Sequence, residues 1–253
     1  MSTEQLYLRD AYRRTCEATV ADVDVAESGT AGDDSRGPRR VALDQTVFYP
    51  TGGGQPYDTG VLEWDGVQAT VTAVRKDGPV VWHTVEDSDP VPPVGTLVSA
   101  TIDWERRYAL MRTHSALHVL CGVIWHEWGV PVTGGNMDPM AARMDFELDP
   151  TPEGFGPRVE ELVAAEVAAD RAIEVSFIPR ADAVLDEALI RTKVNLVPES
   201  VSEIRVVDIV GLDRQADGGT HVHSTAEIGR VRVTKTESKG KGNKRVRIVV
   251  EDR

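Results

Sequence analysis

The feature that constrains this sequence most is the placement of its histidines, because four of the six lie in two short segments. The first segment reads HSALH over residues 114–118, and the second reads DGGTHVH over residues 217–223. On a helix, residues four positions apart have Cβ atoms about 5–6 Å apart, so His114 and His118 can bind one ion from a single helical face. If the second segment supplies further ligands, the fold has to bring together two regions that are far apart in the sequence.

The second segment repeats the four-residue spacing with Asp217 and His221. Gly218 and Gly219 lie between them and allow a turn that backs onto another element. Carboxylate and imidazole groups are both good zinc ligands, and two ligand pairs from separate elements can complete a tetrahedral site. We therefore predict one Zn²⁺ ion per chain, and its four predicted ligands are His114, His118, Asp217 and His221.

Three neighbouring residues bear on the kind of site. Ser115 follows the first histidine, where a zincin protease needs a glutamate as its general base, which argues against that type of protease. Cys121 lies one turn beyond His118 and is expected in the core, with a role as a soft metal ligand as the alternative. His223 can be a ligand, a group that supports a ligand, or a contact to the substrate.

The charge of the chain is unusual for a partner of nucleic acid. Acidic residues outnumber basic ones by 41 to 28, and the net charge is −13. A dispersed acidic surface suits a cytosol of very high salt, in which a Debye length of about 3 Å screens the repulsion of RNA. Residues 230–247 are the exception, since they hold eight basic residues and one acid. We predict that this segment contacts phosphates through Lys239, Lys241 and Lys244, with a solvated hairpin tip as the alternative.

The sequence shows no sign of a membrane or secreted protein. It contains no run of 18 apolar residues, and no basic start followed by an apolar stretch. Its two cysteines, Cys16 and Cys121, are too few for a disulfide framework. We expect a cytoplasmic protein without membrane contact and without a stable protein partner.

The predicted fold class is α+β. Residues 4–100 show short alternating strands separated by turn signals, which predicts a small N-terminal β-barrel over residues 1–100. From Asp103, a candidate N-cap, a helical pattern runs to Gly129. Further helices are predicted over 158–170 and 180–191, with strand patterns between and after them. Residues 101–253 are therefore predicted to form a second, α+β domain with a central antiparallel sheet.

A glycine-rich stretch, GGGQ at residues 52–55, interrupts the predicted barrel. Three consecutive glycines are costly in conformational entropy, so they favour a loop whose backbone approaches a ligand; a tight turn between strands is the alternative. The predicted substrate contacts in this loop are Gly52, Gly53 and Gly54.

These motifs, in this order, resemble the alanyl-tRNA editing proteins called AlaX, which are free-standing relatives of the editing domain of alanyl-tRNA synthetase. The resemblance covers nearly the whole chain and also includes ESKGKGN at residues 237–243. Its length is similar to the medium form, an N-terminal barrel followed by an editing domain. The family pattern usually has cysteine where Asp217 stands. Either Asp217 binds the metal as a harder ligand, or the site is three-histidine-like with Asp217 or His223 in support.

Membership would imply hydrolysis of tRNA(Ala) mischarged with serine or glycine, at a zinc site. The polar groups of the glycine loop, Thr46, Thr51 and Gln55, are the predicted catalytic residues, and we hypothesise that one of them binds the serine hydroxyl. The metal can activate water or bind the amino group of the substrate, and the sequence leaves both roles open. Two other functions are considered: a generic metal-dependent esterase, and an RNA-binding module with a structural metal.

Overall fold

A computed structural model of the protein describes residues 1–25, 39–183, 189, 202–240 and 242–252. It confirms the predicted α+β class, with a closed barrel near the N-terminus and further antiparallel sheets. The chain forms two compact units. The first comprises Met1–Gly52 and Pro56–Arg107, and the second comprises Gly53–Gln55 and Tyr108–Arg253. The division into domains at residue 100 stays a prediction.

The first unit is built around the barrel that the alternating pattern predicts. A short parallel pair, β1 (Glu4–Gln5) with β4 (Gln45–Thr46), lies outside the barrel order. The barrel strands are β2 (Thr15–Val25), β3 (Arg39–Leu43), β5 (Gly60–Trp64), β6 (Val67–Asp77), β7 (Val80–Val85) and β8 (Leu97–Ile102). They close in the order β2-β3-β7-β6-β5-β8, with every neighbouring pair antiparallel.

A buried ion pair fixes the chain on both sides of the glycine loop. The side chains of Arg107 and Asp58 are both fully buried. Arg107 donates to both carboxylate oxygens of Asp58 through Nε, at 3.1 Å, and to the carbonyl of Val47 through Nη2, at 2.6 Å. The Asp58 carboxylate also accepts from the backbone N–H of Tyr49. A buried charge needs this degree of pairing, so the two ends of the loop are held by one arginine.

The second unit holds most of helix α1 (Trp104–Trp128) and two antiparallel sheets. The helix has the ends that the sequence predicts: Asp103 Oδ1 accepts from the N–H of Arg106, and Gly129 has a positive φ of 66°. One sheet has the order β14-β15-β10-β9, and the other has the order β11-β12-β13. The elements after α1 are β9 (Val132–Asp138), β10 (Ala141–Glu147), α2 (Phe155–Ala168), β11 (Ile173–Pro179), α3 (Arg180–Ala183), β12 (Glu203–Ile209), β13 (Asp213–Ala216), β14 (Arg230–Ser238) and β15 (Asn243–Glu251).

The structure adds to the prediction in three places. The sequence pattern does not predict the hairpin β9–β10, because Gly134 and Gly135 interrupt the strand pattern of its first arm. Helix α2 begins at Phe155, three residues before the predicted start. The helix predicted over 180–191 is present at Arg180–Ala183, and residues 184–188, 190 and 191 lie outside the described part of the chain. Among the described residues, no helix is long and apolar enough to cross a membrane.

Candidate metal centre

Helix α1 supplies the first half of the site from a stretch that is buried on all sides. Every residue from 113 to 124 is buried, which explains the lack of a polar face in this part of the sequence. Within it, His114 and His118 are 5% and 6% exposed. Polar side chains at such depth need partners, so this part of the helix is where a ligand-binding function is expected.

The second half is a loop that follows strand β13. Arg205 Nη1 donates to the carbonyl of Asp217, at 2.8 Å, and the N–H of Gly219 donates to the Asp217 carboxylate, at 2.6 Å. These bonds turn the carboxylate toward the helix. A Cβ atom added at Gly219 would overlap ring atoms of His114. Only glycine therefore allows the loop to approach the helix this closely.

Four side chains converge at this point. One potential ligand atom from each of His114, His118, Asp217 and His221 lies within 4.8 Å of all the others. The Nε2 atom of each histidine faces the Asp217 carboxylate, at 3.7 Å for His114, 4.0 Å for His118 and 3.0 Å for His221. Zinc bound tetrahedrally at about 2.0–2.1 Å would hold its ligand atoms about 3.3 Å apart, which is within this range of distances.

The other nitrogen of each ring also has a polar neighbour. Nδ1 of His114 lies 3.0 Å from Oε1 of Gln55, and Nδ1 of His221 lies 3.1 Å from Oγ of Ser115. Nδ1 of His118 lies 3.2 Å from Oδ2 of Asp213. Partners of this kind orient metal-binding histidines and fix which nitrogen carries the proton.

Gln55 is itself held in place on the side away from His114. Its Oε1 also accepts from the N–H of Thr220, at 3.0 Å, and its Nε2 donates to the Thr220 hydroxyl, at 2.9 Å. Because Oε1 can only accept, the His114 ring carries its proton on Nδ1 and turns the lone pair of Nε2 toward Asp217. The sequence predicts Gln55 as a catalytic group, and in the structure its amide contacts a candidate metal ligand.

The charge states suit metal binding. Burial lowers the pKa of His114 well below its usual range and lowers that of His221 to about 4. Burial would raise the pKa of Asp217, but its interactions with the His114 and His221 rings hold it well below its usual value. For His118, burial opposes protonation, yet the Asp213 carboxylate outweighs it and raises the pKa. Neutral His114 and His221 beside an ionised Asp217 are the forms in which such groups bind a metal.

The donor set fits zinc. Three imidazole nitrogens and one carboxylate oxygen are common zinc ligands, and they converge here from two elements. Cys121 does not belong to this group; its sulfur accepts a hydrogen bond from Gln215 Nε2, at 3.3 Å. If zinc binds, the residues that would hold it are the four that the sequence predicts, and the carboxylate of Asp217 would be the fourth ligand.

Comparison with known proteins gives two family models and several curated relatives. The model for tRNA synthetases class II (A) matches residues 3–106, and the model for the threonyl and alanyl tRNA synthetase second additional domain matches residues 204–247. The chain is 34% identical to alanyl-tRNA editing protein AlaX-M of Saccharolobus solfataricus, over 98% of this chain and 99% of that protein. The chain belongs to the AlaX-M family. It is also 35% identical to AlaX-M of Methanosarcina barkeri, over 99% of this chain and all of that protein.

A further relative is a longer enzyme. Alanine–tRNA ligase of Pyrobaculum neutrophilum is 38% identical over 93% of this chain, which corresponds to 25% of the ligase. The AlaX-M chain is thus similar to one part of that enzyme. The second family model spans the loop with Asp217 and His221, so it includes half of the candidate metal centre.

Two predicted catalytic threonines of this AlaX-M chain differ in environment. Thr46 is buried; its hydroxyl lies 2.8 Å from Nε2 of His83 and accepts from the N–H of Phe48, at 3.0 Å. Thr51 is exposed, and its hydroxyl makes no hydrogen bond to any residue that the structure describes. Of the two, Thr51 has the side chain that is available to a ligand.

Two of the three glycines of the loop adopt backbone conformations that favour glycine. Gly53 and Gly54 have φ angles of 55° and 85°, in the region that favours glycine. The Gly54 carbonyl accepts from the N–H of Met137, at 3.2 Å. The Gly52 carbonyl accepts from the hydroxyl of Tyr49.

The predicted RNA contacts that the structure describes differ in their surroundings. His223 is exposed and lies in a loop rather than a strand, with its carbonyl bonded to the N–H of Ile173. Lys239 lies 3.2 Å from the carboxylate of Asp145. Lys244 is in strand β15 opposite Phe146, and Lys241 lies outside the described residues. Their roles in RNA binding stay predictions.

Proposed function

We propose that this protein hydrolyses tRNA(Ala) that carries serine or glycine, at a zinc ion held by His114, His118, Asp217 and His221. One observation supports this most: the four ligand atoms lie within 4.8 Å of one another in a chain that belongs to the AlaX-M family. The relatives of full length carry alanyl-tRNA editing in their names. Action on tRNA would place this chain in the cytoplasm.

The reaction needs little from the protein beyond positioning. Water adds to the carbonyl carbon of the ester, the bond to the terminal ribose oxygen breaks, and the products are the free amino acid and uncharged tRNA. Bound zinc would supply a Lewis acid that polarises a water molecule or binds the amino group of the substrate. Gln55, Ser115 and Asp213 lie beside the other nitrogens of the three rings and would orient the rings for this binding.

Selectivity for serine requires a group that binds its hydroxyl. We propose Thr51 for this role, because its hydroxyl is free within the described structure whereas the polar groups of Thr46 and Gln55 have buried partners. The substrate backbone would lie along Gly52, Gly53 and Gly54. Lys239, Lys241, Lys244 and His223 are proposed contacts to the RNA.

The decisive experiment is a deacylation assay with tRNA(Ala) charged with serine, glycine or alanine, with and without a metal chelator. We expect hydrolysis of the first two, little loss of alanine, and loss of activity when the chelator is present. His114→Ala and His221→Ala should abolish hydrolysis. His126→Ala is the matched control, since His126 belongs to the same helix but is exposed and, among the described residues, bonds the Leu212 carbonyl rather than any candidate ligand.

The same assay separates the two other functions. An RNA-binding module with a structural metal would bind tRNA and leave serine attached. A generic esterase would cleave small amino acid esters as fast as the charged tRNA. Either result would overturn the proposed function.

A further inference from the structure

The sheet β14-β15-β10-β9 has two different faces. Alternate residues of its strands are buried apolar side chains, such as Met144, Val246 and Ile248, and helix α2 covers this face at Thr236 and Val233. The residues between them are polar, and they point to the other side, because successive side chains of a strand alternate between faces. This polar face is rich in arginine and lysine.

Three cations on this face form one continuous row, which we call the cation row. Lys235 of β14 pairs with Arg247 of β15, and Arg247 pairs with Arg143 of β10. Asn136 of β9 continues the row. The three cationic side chains are 61%, 43% and 31% exposed, in the order Lys235, Arg247, Arg143.

The next row contains the carboxylates that hold these cations. Glu237 contacts Lys235 at 2.7 Å and accepts from Arg247 Nε at 2.8 Å. Asp145 accepts from Arg245 at 2.7 Å, and it also contacts Lys239 and Arg143.

Both carboxylates stay ionised. Hydrogen bonds from Lys235 and Arg247 lower the pKa of Glu237 to about 2, and a hydrogen bond from Arg245 lowers the pKa of Asp145. Five cations thus share two carboxylates, so the cluster has a clear excess of positive charge.

This arrangement places three cations next to one another on neighbouring strands. Residues directly opposite each other on adjacent strands have Cβ atoms about 4.5–5.5 Å apart, and like charges in that position repel. The cation row has three of them side by side, in a chain with a net charge of −13. An anionic partner laid across the row would remove the repulsion. We propose that the cation row, Lys235, Arg247 and Arg143, binds the phosphate backbone of the RNA substrate.

The geometry favours RNA over an acidic protein. With strands about 4.8 Å apart, the row spans roughly 10 Å, and a nucleic acid strand carries about one phosphate per 3.4 Å of duplex axis. Arginine forks bind phosphate oxygens bidentately, and Asn136 can bond phosphate or sugar. No apolar anchor of the kind that protein interfaces use lies in the row. The proposal rests on the proposed function only in that it takes tRNA(Ala) as the RNA.

The test is the binding of uncharged tRNA(Ala) to the full chain at several salt concentrations. We expect the double variant R143Q/R247Q to weaken binding roughly 10-fold or more at low salt and to lower the slope of log Kd against log salt by about 2. Its matched control is R158Q/R214Q, which removes one exposed and one partly buried arginine that also pair with carboxylates outside the row. K235Q should lower the slope by about half as much as the double variant does. As a single substitution at an exposed side chain, it keeps the test valid if the double variant folds poorly.

Equal affinity and slope for the row variant and its control would overturn the proposal. So would binding of polyglutamate, but not tRNA, in a manner that depends on the row. Deacylation by the wild-type protein is measured separately. If the protein hydrolyses Ser-tRNA(Ala) but tRNA binding does not depend on the row, this proposal fails while the proposed function stands.

Discussion

Oδ2 of Asp213 lies 3.2 Å from Nδ1 of His118, on the side of the ring away from Asp217. The relationship repeats around the centre, since Gln55 lies behind His114 and Ser115 behind His221. Each ring is thereby held between a polar neighbour and the Asp217 carboxylate. A metal centre of this kind depends on residues that never touch the ion.

Replacement of Asp213 should therefore weaken metal binding. We expect Asp213→Ala to lower zinc affinity by about 10- to 100-fold, because the His118 ring loses the carboxylate that lies beside its Nδ1. Asp213→Asn, which keeps the size and an acceptor oxygen, should lose less. The measurement is zinc affinity by competition with a chelator.

Asp208→Asn is the control for this pair, because Asp208 lies on the neighbouring strand and contacts only Arg214 among the ion pairs of the structure's described residues. Zinc affinity in that variant should equal that of the wild type. If Asp213→Ala also binds zinc as the wild type does, the contact with His118 has no orienting role.

The sequence is sufficient to predict the four side chains that converge. It is insufficient to predict the residues that lie beside the other nitrogens of the histidine rings. Two pairs of residues four positions apart, with glycines in one of them, predict His114, His118, Asp217 and His221 from spacing alone, and these four side chains converge. Asp213 has no such signal, since nothing in its spacing relates it to His118. Ser115 is informative in the sequence only because it argues against a zincin protease. Such contacts depend on how a strand and a helix pack, which local pattern does not encode.

The barrel and the cation row differ in the same respect, because the sequence predicts the barrel but not the row. Strict alternation of apolar and polar residues predicts the barrel, because period two is a direct consequence of strand geometry. It does not predict that Arg143 completes a row with Arg247 and Lys235, since β10 belongs to the hairpin whose strand pattern is interrupted by Gly134 and Gly135. Lys244, predicted from composition alone, pairs with Phe146 in the register of the other face.

Asp217 can be tested against the cysteine that the family pattern usually has there. We expect Asp217→Cys to bind zinc within about 10-fold of the wild type, because thiolate and carboxylate are both zinc ligands. Asp217→Ala should bind more than about 100-fold more weakly, since a ligand is lost and three imidazoles remain. Zinc content and affinity are the measurements. Wild-type affinity in Asp217→Ala would show that the carboxylate is not a ligand.

Thr51 and Thr46 form a matched pair for the recognition of serine. We expect Thr51→Val to lower kcat/KM for Ser-tRNA(Ala) by about 10- to 100-fold, the effect of one lost hydrogen bond to a buried hydroxyl. Hydrolysis of Gly-tRNA(Ala) should not change, because glycine has no hydroxyl. Thr46→Val should instead cost about 1–3 kcal/mol of unfolding free energy, since it leaves His83 and the N–H of Phe48 without their partner. Unchanged serine preference in Thr51→Val would refute the assignment.

His83 makes the barrel sensitive to acid. Its Nδ1 donates to the Val41 carbonyl, at 3.0 Å, so Nε2 accepts from the Thr46 hydroxyl and has no room for a proton. Burial lowers its pKa to about 4. The unfolded chain, with a pKa of about 6.5, binds a proton that the folded chain excludes. Stability is therefore complete above about pH 6.5 and falls as the pH drops toward 4, by roughly 3 kcal/mol in total.

Urea unfolding of the wild type and of His83→Gln at about pH 7 and about pH 4.5 isolates this effect from the carboxylates, which are the same in both proteins. The variant should be less stable at the higher pH. When the pH is lowered, the variant should lose roughly 2–3 kcal/mol less unfolding free energy than the wild type does. Equal losses in the two proteins would mean that His83 takes up its proton in the folded state.

Two adjacent glycines provide the sharpest test of how the loop meets the helix. A Cβ atom at Gly219 would overlap the His114 ring and come within 2.9 Å of Gln55 Oε1, whereas a Cβ atom at Gly218 has no neighbour within 4 Å. We expect Gly219→Ala to displace His114 or the loop and to lower zinc affinity by at least about 10-fold, in line with the loss of other groups that position ligands. Gly218→Ala carries the same chemical change one residue away and should bind zinc as the wild type does. The comparison is made by chelator competition on both variants, and equal zinc affinity in the two would show that the close approach at Gly219 does not position the ligand.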